Sequence, residues 1–277
     1  MTRYSIFSLA RNAFNNHRDW PAAWRSPEPK AEYDVIIIGG GGHGLATAFY
    51  LAEEHGVTNV AVLEKGWLGG GNTGRNTTIV RSNYLLEGNA QFYEKSMKLW
   101  ETMSQELNFN VMMSHRGVLN LAHSDPQVDA FQRRGNAMLL NGIDAEYLDR
   151  NEIQRLVPLL DCSDNTRYPI MGGLLQPRGG TARHDAVAWG YARGADARGV
   201  DIIQNCEVTG IKRDDGRVTG VETTRGAIKA KKVGIAVAGH TTQLCQMAGV
   251  DVPIESHVLQ AMVSEPIKPC LNTVVTS

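Results

Sequence analysis

The feature that most constrains this chain is a glycine run, Gly39-Gly40-Gly41-Gly42-His43-Gly44, set between an apolar stretch and a helical pattern. Asp34–Ile38 reads as a short buried strand, since an apolar run of that length ending in glycines suits a strand covered on both faces. Leu45–His55 has helical spacing and good helix formers, and Gly56 closes it. Asn59–Glu64 reads as a second buried strand. Strand, glycine turn, helix and strand within about 30 residues make a βαβ unit. In such a unit Gly39 permits the tight turn, Gly41 lets backbone approach a pyrophosphate, and Gly44 lets the helix pack close to the strand. The helix N-terminus offers N–H groups and a partial positive charge to phosphates. Glu64 stands 20 residues beyond Gly44. A carboxylate there accepts hydrogen bonds from an adenosine ribose and repels a 2′-phosphate. The motif predicts a dinucleotide and leaves both FAD and NAD open.

The following loop, residues 66–83, is rich in Gly, Asn and Thr. Its position just past the ribose-binding strand favours FAD, because a flavin cofactor needs small polar groups along its pyrophosphate and ribityl chain. Asn72, Thr73, Asn76 and Thr77 supply such groups, and Arg75 offsets phosphate charge. Gly42, His43 (through its backbone) and Ile79 complete the candidate set around this turn.

Beyond the loop, residues 90–106 read as an amphipathic helix with Phe92, Tyr93, Met97, Trp100 and Met103 on one face. Gly117–Ala122 and Gly172–Gln176 are strand-like, and 125–140, 150–157 and Asp185–Arg198 are helical. Short strands are expected at Asp201–Asn205, Val208–Arg213, Val218–Thr223, Ala227–Ala230, Val233–Ala238 and Val258–Glu265, with 214–217 as a turn. Residues 1–33 read as a polar leader with a docking role, a weak amphipathic helix at its start being the alternative, and the two prolines of residues 26–33 argue for an extended arm. A net charge of −1 gives no global pull toward nucleic acid or an anionic membrane, and no apolar run is long enough to span one. Cys162, Cys206, Cys245 and Cys270 lie far apart, without a CxxC pair or metal-ligand spacing, as expected of reduced thiols in a cytoplasmic protein.

Several stretches carry a family likeness. Residues 34–52, 61–72, 75–84 and 114–123, together with QPRGGTARHDAVAW and GVDIIQNCEVTGI, resemble the β-subunit family of heterotetrameric sarcosine oxidases. That family lies within the D-amino-acid-oxidase-like FAD-dependent oxidoreductases. The resemblance implies an α/β fold, with a Rossmann-like FAD-binding domain and an interleaved β-rich substrate domain. It also implies noncovalent FAD and a covalent FMN. The segment resembling the FMN attachment site is 179–185, which makes His184 the expected linked residue; read locally, His184 is an ordinary histidine at a helix start. Val208 matches a position where backbone meets the adenine edge, although an ordinary strand valine explains it equally well. Gly239, at the end of a strand returning to the FAD domain, allows close approach to the cofactor.

The implied reaction is oxidative demethylation of sarcosine. Hydride passes to FAD and electrons to FMN, oxygen becomes peroxide, and the carbon goes to tetrahydrofolate on the α subunit or leaves as formaldehyde. The implied partners are the α, γ and δ subunits. The domain expectation is an arm over 1–33, an FAD domain over 34–110 and 178–250, and a substrate domain over 111–177 and 251–277. That family extends further than residue 277, so a C-terminally truncated chain is expected, and no catalytic base is assigned. Two alternatives stand: an FAD enzyme acting on another amino acid, such as glycine or a D-amino acid, and a truncated, non-catalytic nucleotide-binding subunit.

Overall fold

The computed structural model describes residues 5–16, 18, 22–84, 86 and 88–277. Ser5 starts the first helix: its hydroxyl accepts a hydrogen bond from the Ser8 amide at 3.2 Å, and α1 runs Ile6–Phe14. The helix is the amphipathic one that the sequence allows in this leader, while residues 25–30 carry no helix or strand. The apolar residues of α1 repeat at three- and four-residue steps, a helical period.

The βαβ unit follows as β1 (Glu32–Ile38), α2 (Gly42–His55) and β2 (Val60–Leu63). Next come β3 (Ile79–Val80), α3 (Asn89–Glu106), β4 (Ser114–His115), β5 (Val118–Ala122), α4 (Asp125–Leu140), β6 (Glu146–Leu148), α5 (Arg150–Leu156), β7 (Gly172–Gln176) and β8 (Gly180–Thr181). The chain continues through α6 (His184–Asp196), β9 (Asp201–Ile203), β10 (Val208–Asp214), β11 (Arg217–Thr223), β12 (Gly226–Ile235), α7 (Thr241–Met247) and β13 (Val274–Thr276).

Two compact units result, one holding residues up to Arg75 with Val187–Leu259, the other Asn76–Ala186 with Gln260–Ser277. The division falls inside α6, and α3 belongs to the second unit.

The first unit is built on a six-stranded sheet in the order β10-β11-β12-β1-β2-β9. Strands β12, β1, β2 and β9 run parallel, while β10, β11 and β12 form an antiparallel meander. The parallel strands are apolar on both faces because both are covered. Ile36, Ile38, Leu63 and Ile203 pack on one side with Val221 and Ile228. Helix α2 buries Leu45, Ala48, Phe49 and Ala52. Leu45 and Phe49 are fully buried, and each such side chain contributes roughly 2 kcal/mol. Parallel order brings the carboxyl ends of β1 and β2 to one edge, where an α/β sheet takes its ligand.

The second unit has a four-stranded sheet, β13-β5-β7-β6, and a small sheet, β3-β8-β4. Leu119, Leu121, Ile153, Val157 and Leu175 form one core cluster, and Met138, Ile143 and Leu174 another.

Three sequence expectations change. Ala227–Ala230 and Val233–Ala238 are not separate strands: β12 is continuous, pairing antiparallel with β11 through Gly226–Lys229 and parallel with β1 through Lys229–Ile235. Val258–Glu265 is not a strand, and Val258, Leu259, Met262 and Val263 are almost fully exposed. Its alternation is strand-like, but no strand among the described residues pairs with it, and β structure needs a neighbour for its backbone groups. Helix α3 buries Ala90, Glu94, Met97 and Met103 while Phe92 lies exposed. Glu94 turns that face inward because its carboxylate accepts from Arg178 Nη1 at 2.7 Å and from the Ser82 hydroxyl at 3.1 Å.

Candidate functional site

The turn between β1 and α2 is held from three sides. Gly39 takes φ +110°, and its amide donates to the Leu63 carbonyl at 2.8 Å. A side chain here would collide with the backbone carbonyl of Ala236 just past β12, and one at Gly44 would collide with the carbonyl of Gly39. Gly41 is the N-cap of α2 and brings no side-chain acceptor to the first turn. The first-turn amides of a helix have no intrahelical partner. An N-terminus without a side-chain cap from its own N-cap residue, against a close-packed glycine turn, therefore makes a cradle for an anionic group.

Glu64 completes the cradle. Its Oε2 accepts from the Gly40 amide at 2.8 Å and its Oε1 from the Gly66 amide at 2.9 Å. Each carboxylate oxygen keeps a further lone pair, so the carboxylate is fixed in place and still able to accept from a ribose hydroxyl. Residues 72–75 form a short 3-10 turn, with Asn72 and Thr73 at its start and Arg75 exposed at its end. The Thr73 hydroxyl accepts from the Gly42 amide at 3.0 Å, which ties the polar loop to the glycine turn. His43 is the second residue of α2, and its carbonyl accepts from the Thr47 hydroxyl at 2.8 Å.

Val208 starts β10, buried and paired with Thr223. Gly239 lies in a 3-10 turn, Ala238–His240, beyond the end of β12, and its carbonyl accepts from the Ser256 hydroxyl at 2.8 Å. Beside β1, where β12 runs out, the Ala236 amide donates to the Ile38 carbonyl at 2.8 Å, and the backbone of Ala236 closes on Gly39.

The second unit holds Thr77, Ile79 and His184. Ile79 pairs with Thr181 in the small sheet, and Thr77 precedes it in the same segment. Asn76 Oδ1 accepts from the Thr78 amide at 2.7 Å. The approach to His184 is fixed by backbone bonds from Ala182 to the Thr78 carbonyl (3.0 Å) and from Arg183 to the Val111 carbonyl (3.1 Å). His184 then opens α6 with its Nδ1 buried and without a hydrogen-bond partner. Beside it, Arg183 forks onto Asp185 at 2.9 and 3.1 Å. Burial alone would raise the Asp185 carboxyl; Arg183, the Ala186 amide and His184 together hold it below its ordinary value.

A feature of this unit that the sequence did not point to is a pair of arginines, Arg81 and Arg134. Arg81 Nη1 donates to Asn83 Oδ1 at 2.9 Å, and Arg134 Nη2 donates to the Asn83 carbonyl. Neither has a carboxylate partner among the described residues. Burial first, and then the neighbouring Arg81, push the Arg134 guanidinium below its ordinary value. The Nδ2 of Asn83 and Nε of Arg134 are buried and unpartnered. Residues 81 and 134 meet only through tertiary folding, so no local pattern announces them.

The sequence pattern of the family described as FAD dependent oxidoreductase matches residues 34–275. The chain belongs to that family. Its dinucleotide cofactor is accordingly FAD, which closes the choice the glycine motif leaves open. Among curated relatives, the chain is 65% identical over 274 residues to "Sarcosine oxidase subunit beta" of Rhizobium meliloti, covering 99% of this chain and 66% of that protein. It is 55% identical over 275 residues to the protein of the same name from Rhodobacter capsulatus, with 99% and 66% covered. The fold is similar to the crystal structure of L-proline dehydrogenase from P. horikoshii, with a TM-score of 0.73 and 28% identity over 81% of this chain and 57% of the other. The chain thus spans about two thirds of the length of the curated relatives it matches. No helix among the described residues is long and apolar enough to cross a membrane.

Proposed function

We propose that this chain is the FAD-binding part of a sarcosine oxidase β subunit, a cytoplasmic protein working in oxidative demethylation of sarcosine to glycine. The observation that carries the reading is the cradle at the carboxyl edge of β1 and β2, joined to 65% identity with a relative of that name. Gly39 and Gly44 shape the turn, backbone at Gly41, Gly42 and His43 faces the pyrophosphate, and Glu64 holds the ribose. Asn72, Thr73 and Arg75 line the cofactor beyond, with backbone at Val208 and Gly239 serving its adenine and flavin ends. Bound FAD supplies the hydride acceptor for the N-methyl carbon. The protein's task is to hold the substrate and exclude water.

Arg81 and Arg134 fit the substrate's carboxylate: two guanidiniums without a carboxylate partner among the described residues, beside an unpaired buried amide, suit an anion. His184 fits covalent attachment of FMN, since its buried Nδ1 lacks a protein partner and its backbone approach is fixed. Oxygen and tetrahydrofolate are the co-reactants, and the α, γ and δ subunits the partners, in keeping with relatives named as a subunit.

The test is the visible spectrum of the purified chain before and after acid precipitation. Yellow colour in the native protein supports the FAD site. Flavin absorbance retained in the acid pellet, and lost in His184→Ala, supports FMN attachment there. A colourless protein, even after incubation with FAD, would overturn the reading.

A further inference from the structure

Helix α1 carries its apolar face outward. At about 100° per residue, Ile6, Phe7, Leu9, Ala10, Ala13 and Phe14 fall on one side, and Ser8, Arg11, Asn12 and Asn15 on the other. No residue of the helix is buried, and Phe7 and Phe14 are 82% and 93% exposed. The polar positions Ser8 and Asn12 are the half-buried ones. A nine-residue helix is too short to persist alone in water, so this one needs a surface to lie on.

The arm that carries it is anchored further along. Arg25 Nε reaches Asp196 at 2.7 Å and Lys30 Nζ reaches Asp201 at 2.8 Å. The ten residues between Phe14 and Arg25 span at most roughly 35 Å, so α1 can reach a neighbour while its base stays fixed.

Charge narrows the neighbour. Residues 1–18 contain Arg3, Arg11, His17 and Arg18 and no acid. A second copy of this helix would bring the same acid-free, arginine-bearing segment against it. An anionic membrane calls for more than a short helix with one arginine on it, because stable anchoring takes several basic residues or a second signal. An apolar groove with an acidic rim satisfies both faces. Phe7, Ala10 and Phe14, at i, i+3 and i+7, have the spacing of helix-in-groove anchors.

We infer that α1 is a docking helix whose Phe7–Phe14 face seats in an acidic-rimmed apolar groove on another protein subunit. The inference rests on the multi-subunit reading above. It goes beyond that reading in assigning the contact to one element, outside the flavin site.

The test uses the full chain, its Phe7→Asp/Phe14→Asp double variant and Arg11→Glu, each titrated against the separately purified α, γ and δ subunits. The double variant is expected to lose at least tenfold in affinity for one subunit while keeping its circular dichroism and flavin content. Arg11→Glu is expected to weaken the same contact three- to tenfold at low salt, with the difference vanishing at high salt. Amides 6–14 are expected to gain hydrogen-exchange protection in the complex. If wild type and double variant bind equally well, the docking role is overturned and the multi-subunit reading stands. If the wild-type chain binds none of the three subunits, both fail. Binding of α1 to phosphatidylserine vesicles, or self-association through it, with subunit affinity unchanged in the variants, likewise overturns the proposal.

Discussion

Glu64 fixes the glycine turn and still has lone pairs to offer a ligand. Its two oxygens hold the Gly40 and Gly66 amides, bonds of 2.8 and 2.9 Å that fix the glycine turn before any cofactor arrives. Glu64→Gln replaces one acceptor oxygen by an NH2 donor facing an N–H. Loss of one charge-assisted bond costs about 2 kcal/mol. FAD affinity is expected to fall by about ten- to a hundredfold, measured by flavin fluorescence quenching, with a smaller drop in Tm without added FAD. An unchanged affinity would remove Glu64 from the ribose site. Gly44→Ala is expected to be more severe, because its methyl group meets backbone with no room to turn away. The turn's geometry was legible in the sequence because the motif is local: strand, turn, helix and next strand fall within 31 consecutive residues, 34–64. The Arg81–Arg134 pair and the Arg178–Glu94 pair were not, since their partners lie 53 and 84 residues apart and only the fold brings them together.

At the level of elements, local chemistry sets some boundaries and pairing sets the rest. Helix α5 starts with a capping box: Asp149 Oδ1 accepts from the Glu152 amide and Glu152 Oε2 from the Asp149 amide, both at 2.8 Å. Its Ile153 is fully buried in the core of the second unit. Asp149→Ala is expected to cost about 1 kcal/mol, read as a lower denaturant midpoint at unchanged slope; no shift would mean that packing of Ile153 alone holds the helix start. Such a cap is written in four residues. By contrast, β12 looked like two strands because Lys231 and Lys232 interrupt the apolar pattern. It is one strand because it has two neighbours, and Lys229 pairs with both Gly220 and Glu32. The run Val258–Glu265 shows the converse, a strand-like alternation that stays unpaired among the described residues.

At the level of the whole molecule, one buried hydroxyl couples stability to pH. Tyr33 on β1 is fully buried. Its OH donates to Asp201 Oδ2 at 3.1 Å and accepts from the Lys30 amide at 3.0 Å, so it joins the arm to the sheet. Burial, opposed by the Lys30 amide bond and reinforced by Asp201, pushes the Tyr33 hydroxyl from 10.0 up to about 12. The folded state therefore holds this proton more tightly than the unfolded chain. Its contribution is fully present below pH 10 and is lost as pH rises to about 12, on the order of 2–3 kcal/mol. Tyr147 is also raised, first by burial and then by Asp149, so Tyr147→Phe is the natural control. Between pH 10 and 12 the wild-type chain is expected to lose Tm steeply. Tyr33→Phe should start lower, having lost both hydrogen bonds, and then show a visibly shallower alkaline slope than wild type or Tyr147→Phe. Parallel slopes in all three proteins would mean that a group other than Tyr33 drives alkaline unfolding.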